Sequence, residues 1–236
     1  MITSKSRILN TKDKILINKR GVLFMANYEV PGIPGLNITI PENIENAKLP
    51  NPNLLMHFSN VGNRVFWIEN EIDETIMLLA KYIISINKED TGLSVAERQP
   101  IKIFLNSPGG CVEETLAFIS LIKMSKTPVW TINMCTAYSG AALILMSGHK
   151  RFALPHTHCL IHSGSGGTGG TYEQTAKQME HYDKIIEIMR NLILNSTTIS
   201  AKTLNKNFSK EWYMTADEAL KYGIIDEIVN DINILL

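Results

Sequence analysis

Charge of one sign is the first thing missing from this 236-residue chain: 23 Lys and Arg stand against 23 Asp and Glu. A polyelectrolyte partner such as nucleic acid calls for a basic surplus, and none persists beyond the N-terminal stretch. Long apolar runs are missing too. The longest, Ala141 to Met146, is far too short to cross a bilayer, so the body reads as soluble. The chain contains no GxxxxGK[ST] phosphate loop and no internal repeat. Its three cysteines, Cys111, Cys135 and Cys159, are odd in number and match no zinc spacing. Each sits in an apolar segment, where a free Cys behaves as a small hydrophobe. They read as buried, unpaired thiols of a reducing, cytoplasmic compartment, with no metal and no cofactor called for.

What is present is an ordinary globular composition, 44% hydrophobic and 19% charged, in a length that can bury one sizeable core. The first 57 residues differ from the rest. Residues 1–28 carry Lys5, Arg7, Lys12, Lys14, Lys19 and Arg20 against the single acid Asp13. Residues 31–53 are rich in Pro, Gly and Asn, a composition with little to pack, expected to be extended or disordered. No apolar h-region follows the basic opening, which argues against a secretory signal. Residues 1–57 are therefore expected to be an extension, disordered or processed, and residues 58–236 the folded domain; a start of translation at Met25 is the alternative.

From Asn63 the text becomes regular. Arg64–Ile68 predicts a strand, and Asp73 caps a helix to about Asn87 with Ile76, Leu79, Ala80 and Ile83 on one face. Residues 88–99 read as a surface loop. Ile101–Leu105 predicts a buried strand, and Glu113–Ser125 a helix with Leu116, Ile119 and Ile122 inward. Val129–Met134 is a further strand, and Gly140–Ser147 a short helix. This alternation argues for βαβ units and a mainly parallel sheet. A Gly-rich bridge, Ser163–Thr171, leads to the longest helix, Tyr172–Asn195, with a stripe of Met179, Tyr182, Ile186, Met189 and Ile193. Thr215 and Glu218 form a capping box, Gly223 ends that helix, and Ile224–Val229 is the last strand.

Three features could carry chemistry, all at junctions. Asn106-Ser-Pro-Gly-Gly110 follows a strand. Its glycines permit a sharp turn and a close backbone approach, which serves either a plain strand–helix connection or N–H groups aimed at an oxyanion. Ser139, in Ala137-Tyr-Ser-Gly-Ala-Ala142, lies between a strand and a helix, where it is either an N-cap or a nucleophile beside its own stabilising N–H. His162 closes the apolar run Cys159-Leu-Ile161, where a ring is held fixed, structurally or as a base. His57, His149, His156, His158 and His181 fall in polar or loop surroundings and read as surface residues.

Together the three resemble the Clp protease proteolytic subunit (ClpP) family. The match lies in NSPGG, in a Ser 33 residues beyond its Asn, in RFALP ahead of CLIH, and in the tail YMTADEALKYGIIDEIV. The resemblance spans residues 62–229 and implies an α/β domain of the crotonase-like βαβ-spiral type with a handle helix. It implies a serine endopeptidase in which Ser139 attacks the peptide carbonyl and His162 is the base, with Gly110 and Gly140 N–H groups as the oxyanion hole. The family's acid falls on Glu211, counting from His162 without gaps. The resemblance further implies homo-oligomeric stacked, heptameric rings fed with unfolded polypeptide by an ATP-driven AAA+ unfoldase, without membrane or nucleic acid. Glu211 for Asp, Tyr138 before the Ser, Gly140 after it and Ser163-Gly164 after the His depart from the family pattern. Asp217 and Asp226 are nearby acids for which structural roles suffice. A ring subunit of weak or no activity and a phage capsid-maturation peptidase are the alternatives; acyl-CoA chemistry on the related crotonase fold gives no reason for Ser139 and His162 to occur together.

Overall fold

The computed structural model describes residues 27–29, 37–39 and 51–235. The expectation for residues 1–57, and the alternative start at Met25, fall for the most part outside the described residues. The backbone divides into two units, Met1–Asn63 and Arg64–Leu236. In the first, β1 (Asn27–Glu29) pairs antiparallel with β2 (Asn37–Thr39), and α1 spans Pro52–Gly62. α1 has no counterpart among the elements expected from the sequence. Pro52 and the Asn51 side chain, which accepts from the Asn53 N–H, start it.

The second unit is mixed α/β. Its elements run β3 (Val65–Ile68), α2 (Ile76–Glu89), β4 (Ile101–Ser107), α3 (Val112–Met124), β5 (Val129–Tyr138), α4 (Gly140–Leu145), β6 (Lys150–Ala153), β7 (His158–Ile161), α5 (Tyr172–Ser196), α6 (Ala201–Asn207), β8 (Trp212–Thr215), α7 (Ala216–Lys221) and β9 (Glu227–Ile228). The sheet order β3-β4-β5-β6-β9 is parallel throughout. β4 is buried at every position but Asn106, as a strand covered on both faces must be. Phe104, Ile132 and Phe152 are register partners across β4, β5 and β6, and form one core with Val229 and Leu235. Ile103, Phe118, Ile122 and all of α4 are buried as well. Each fully buried large aliphatic or aromatic side chain contributes roughly 1.5–3 kcal/mol.

β5 is the strand that positions the site. Trp130–Asn133 pair with β6, whereas Thr136–Tyr138 pair with β7. Where β5 leaves one neighbour for the other, the Asn133 amide donates to the His158 carbonyl at 2.9 Å, covering the gap. β7 is paired antiparallel on its far side by β8.

Several expectations need correction. α2 starts at Ile76, because the Asp73 carboxylate accepts from the Thr75 N–H and hydroxyl and turns the chain first. β5 runs four residues beyond Met134. Segment 88–99 is not wholly a surface loop: Asp90 is 2% exposed, held by both Arg64 guanidinium NH₂ groups (2.8 and 2.7 Å) and the Thr127 hydroxyl (2.7 Å). Arg64 chiefly holds the Asp90 carboxyl below its ordinary range. The α5 face is buried at Ile185, Met189 and Ile193, whereas Met179 is exposed, so the stripe is covered only along its C-terminal half. All three cysteines are unpaired, but Cys111 and Cys135 are exposed. Cys159 alone is buried, and desolvation pushes its thiol up to about 12.

Candidate active site

The loop leaving β4 is tied down on both sides. The Ser107 hydroxyl donates to the Asn70 carbonyl and accepts from the Gly109 N–H. Ile72 bridges Gly110 in parallel: its N–H donates to the Gly109 carbonyl (2.7 Å), and its carbonyl accepts from Cys111 (2.8 Å). Those two bonds leave the Gly110 N–H outside the ladder. A Cβ on Gly110 would collide with Ile72 backbone. One on Gly109, at φ +93°, would lie 2.6 Å from the Tyr138 carbonyl oxygen and 2.7 Å from Ser139 Cβ. The paired glycines thus let the loop lie directly against the turn that carries Ser139.

That turn is strained. Ser139 has φ +53° and ψ −120° between the end of β5 and the first turn of α4. A non-glycine residue held there costs on the order of 1–3 kcal/mol and persists only when its surroundings fix it. Here its N–H donates to the Leu160 carbonyl at 2.9 Å, and its carbonyl accepts from Ala142 and Leu143. A sharp strand-to-helix turn with a serine at its apex is the geometry of a nucleophile elbow. Thr115, whose hydroxyl donates to the Cys111 carbonyl, packs against Gly140, where a Cβ would meet its oxygen at 2.6 Å.

His162 follows β7 directly and is half-buried. Its Nε2 lies 2.7 Å from Ser139 Oγ. With the hydroxyl donating, Nε2 is the unprotonated nitrogen and Nδ1 carries the hydrogen. The other five histidines are exposed, as expected.

Glu211 is placed by register. β7 and β8 pair through Leu160↔Tyr213 and Ile161↔Trp212. His162 and Glu211 are the residues just past the last ladder pair, one step along from it on each side. The Glu211 carboxylate, however, accepts from the Tyr213 hydroxyl at 2.7 Å, and among the described residues no hydrogen bond joins it to His162. The bond to Glu211 is the main cause of the raised Tyr213 phenol. Tyr213 also meets Tyr138 edge-on, ring centroids 5.7 Å apart. Ser139, His162, Glu211, Gly110 and Gly140 all line one cavity of about 950 Å³, whose apolar wall includes Ile72, Leu143, Leu160 and Met189.

Cys111, Glu113 and Glu114 hold ligand-type atoms within 4.8 Å of one another, and the first two line this cavity. The thiol donates to Glu113 (3.3 Å), and hydrogen bonding to Glu114 foremost pushes its titration up, favouring S–H over the thiolate a metal requires. The close approach expected of the NSPGG glycines is made by Gly109 and Gly110, whereas Tyr213 was missed as a site residue, because only the β7–β8 register brings it there.

The Clp protease family model matches residues 60–231. An ATP-dependent Clp protease proteolytic subunit of Streptococcus suis is 36% identical over 135 residues, covering 56% of this chain and 69% of that one. The ATP-dependent Clp protease proteolytic subunit 2 of Corynebacterium diphtheriae is 31% identical over 169 residues, covering 70% and 82%. Its counterpart in Corynebacterium glutamicum is 30% identical over 172 residues, covering 72% and 83%.

Proposed function

We propose, from the premise that this chain belongs to the Clp protease family, that Ser139 is the nucleophile and His162 the general base of its serine endopeptidase activity, with Glu211 as the orienting acid. Ser139 Oγ attacks the carbonyl carbon of the scissile peptide while His162 Nε2 takes its proton. The carbonyl oxygen gains negative charge and is met by the N–H groups of Gly110 and Gly140. Losing one such donor typically costs on the order of 10²–10³ in rate. Collapse expels the amine, which takes the proton from His162, and a water activated by the same base hydrolyses the acyl-enzyme. The observation that carries this reading is the 2.7 Å contact between His162 Nε2 and the hydroxyl of a serine held at φ +53°.

The substrates are unfolded polypeptides. The relatives are named ATP-dependent, and this chain has no phosphate loop of its own, so ATP is used by a partner Clp ATPase of the AAA+ class. The subunits assemble as homo-oligomeric, stacked heptameric rings in the cytoplasm; no helix among the described residues is long and apolar enough to cross a membrane. A fluorophosphonate probe tests the site. Wild-type protein is expected to label at one serine, and Ser139→Ala to abolish labelling. Labelling that survives Ser139→Ala, or that is absent from assembled wild type, refutes the assignment. A weakly active ring subunit is the second reading, favoured by the engagement of Glu211 with Tyr213.

A further inference from the structure

We propose that Tyr213 is a positioning residue that competes with His162 for the Glu211 carboxylate, and so sets how much of the time the site holds a complete Ser-His-acid relay. The inference rests on the reading of Glu211 as the orienting acid and adds a determinant that this reading does not contain.

The argument begins with strand geometry. Residues two apart on a strand share a face, and directly opposed residues on paired strands share it too. Leu160 pairs with Tyr213, and His162 and Glu211 are the residues just past the ends of β7 and β8, one step beyond the last ladder pair. All four line the same cavity. Carried one step further, this register brings the His162 ring across from a carboxylate that already accepts from the Tyr213 hydroxyl, so one acceptor faces two donors. In this structure the bond goes to Tyr213, at 2.7 Å, while among the described residues the His162 ring is hydrogen-bonded to Ser139 alone.

The Tyr213 ring is itself held. Tyr138, the residue before the nucleophile, also pairs with Leu160, from β5, so Tyr138, Leu160 and Tyr213 form one row across three strands. The two tyrosine rings meet edge-on over that row, 88° apart in plane. Tyr138 thus fixes the ring whose hydroxyl holds Glu211, and the nucleophile turn is coupled to the acid through this pair. A hydrogen bond from a neutral hydroxyl to a carboxylate biases such a choice by about tenfold. When Glu211 stays with Tyr213, the imidazolium that forms as Ser139 attacks lacks its counter-charge.

The test uses the assembled full chain in four forms: wild type, Tyr213→Phe, Glu211→Gln and the double variant. Tyr213→Phe keeps the ring and its contact with Tyr138 and removes only the hydroxyl; an unchanged melting midpoint checks that. The readouts are the labelling rate with a fluorophosphonate, and kcat and KM on a fluorogenic peptide. Tyr213→Phe is expected to raise kcat and labelling about fivefold, with KM within about twofold. Glu211→Gln is expected to cost more in the Tyr213→Phe background than in wild type, a coupling that a merely structural tyrosine would not produce. Should Tyr213→Phe leave kcat unchanged or lower while Glu211→Gln still reduces it, competition is refuted and Glu211 keeps its role. Glu211→Gln without effect in both backgrounds removes Glu211 from the relay, and this proposal with it.

Discussion

Replacing Gly109 with alanine probes the packing that brings the loop after β4 against the turn that carries Ser139. A Cβ built there lies 2.6 Å from the Tyr138 carbonyl oxygen, 2.7 Å from Ser139 Cβ and 2.9 Å from the Gly140 nitrogen. All three atoms belong to the turn that carries Ser139, and two are backbone, so no flexible side chain end can yield. Ordinary contact begins near 3.4 Å, so loop and turn must separate by about 0.8 Å, the difference between 3.4 and 2.6 Å. The φ of +93° adds strain on the order of 1–3 kcal/mol for any residue with a Cβ. Misplacement of reacting groups by about 1 Å can cost roughly 10² in rate. Gly109→Ala is therefore expected to lower the fluorophosphonate labelling rate about a hundredfold, with a melting midpoint reduced by only about 3–10 °C. Gly166→Ala is the control. Its Cβ meets nothing within 4 Å, on a loop lining the same cavity, and labelling is expected to stay within about twofold of wild type. A Gly109→Ala protein that labels at the wild-type rate would refute the close approach on which the proposed oxyanion arrangement depends.

Asp90→Ala leaves the Arg64 guanidinium, whose side chain is 16% exposed, without its counter-charge. A loss of about 3 kcal/mol is expected in urea unfolding at neutral pH, and a loss below about 1 kcal/mol would contradict a buried pair. The sign of its pH dependence follows from the depressed Asp90 carboxyl. The folded value lies below the unfolded one, so the stabilisation is complete above the unfolded value, near 3.9, and is lost as pH falls through the folded value. The gap between wild type and Asp90→Ala should accordingly narrow only under acid, below about pH 4. For the thiols, Cys159, pushed up to about 12 by burial, is expected to be alkylated by iodoacetamide well after exposed Cys111 and Cys135 at pH 8. Peptide mapping over time reads this, and equal rates at all three would contradict the burial.

Much of the fold was written in local pattern. β4, α3 and α5 lie within a residue or two of their expected bounds, because an apolar strand and amphipathic helices announce themselves by period. The pieces that escaped are non-local. Asp90 reads as a loop acid until Arg64, 26 residues earlier, is seen to hold it in the interior. Met179 continues an apolar period, yet the first half of α5 carries no buried residue, since periodicity states which face is apolar and not what covers it. Cys111 and Cys135 sit in apolar text and still face out, the first because it caps α3 and the second because it lies where β5 leaves β6 for β7.

The site divides along the same line. Ser139, His162 and the glycine pair stand in short motifs, where the chemistry of a turn is local and legible. Which hydrogen bonds close around them depends on strand partners that no spacing gives. β5 can present Ser139 beside His162 because it abandons β6 for β7 after Asn133, so that Tyr138 pairs with Leu160 and the serine N–H reaches the Leu160 carbonyl. β7 then continues to His162 while β8 returns from Glu211 through Tyr213. One strand, β7, therefore stands between the proposed nucleophile and the proposed acid and registers both. A change of a single residue in its pairing would flip Leu160 and His162 away from the cavity together. If His162 is the base and Glu211 the acid, as proposed, the base and the row beside the acid form one unit, and substitutions at Tyr138, Leu160 or Tyr213 should act on the relay and not on cavity shape alone.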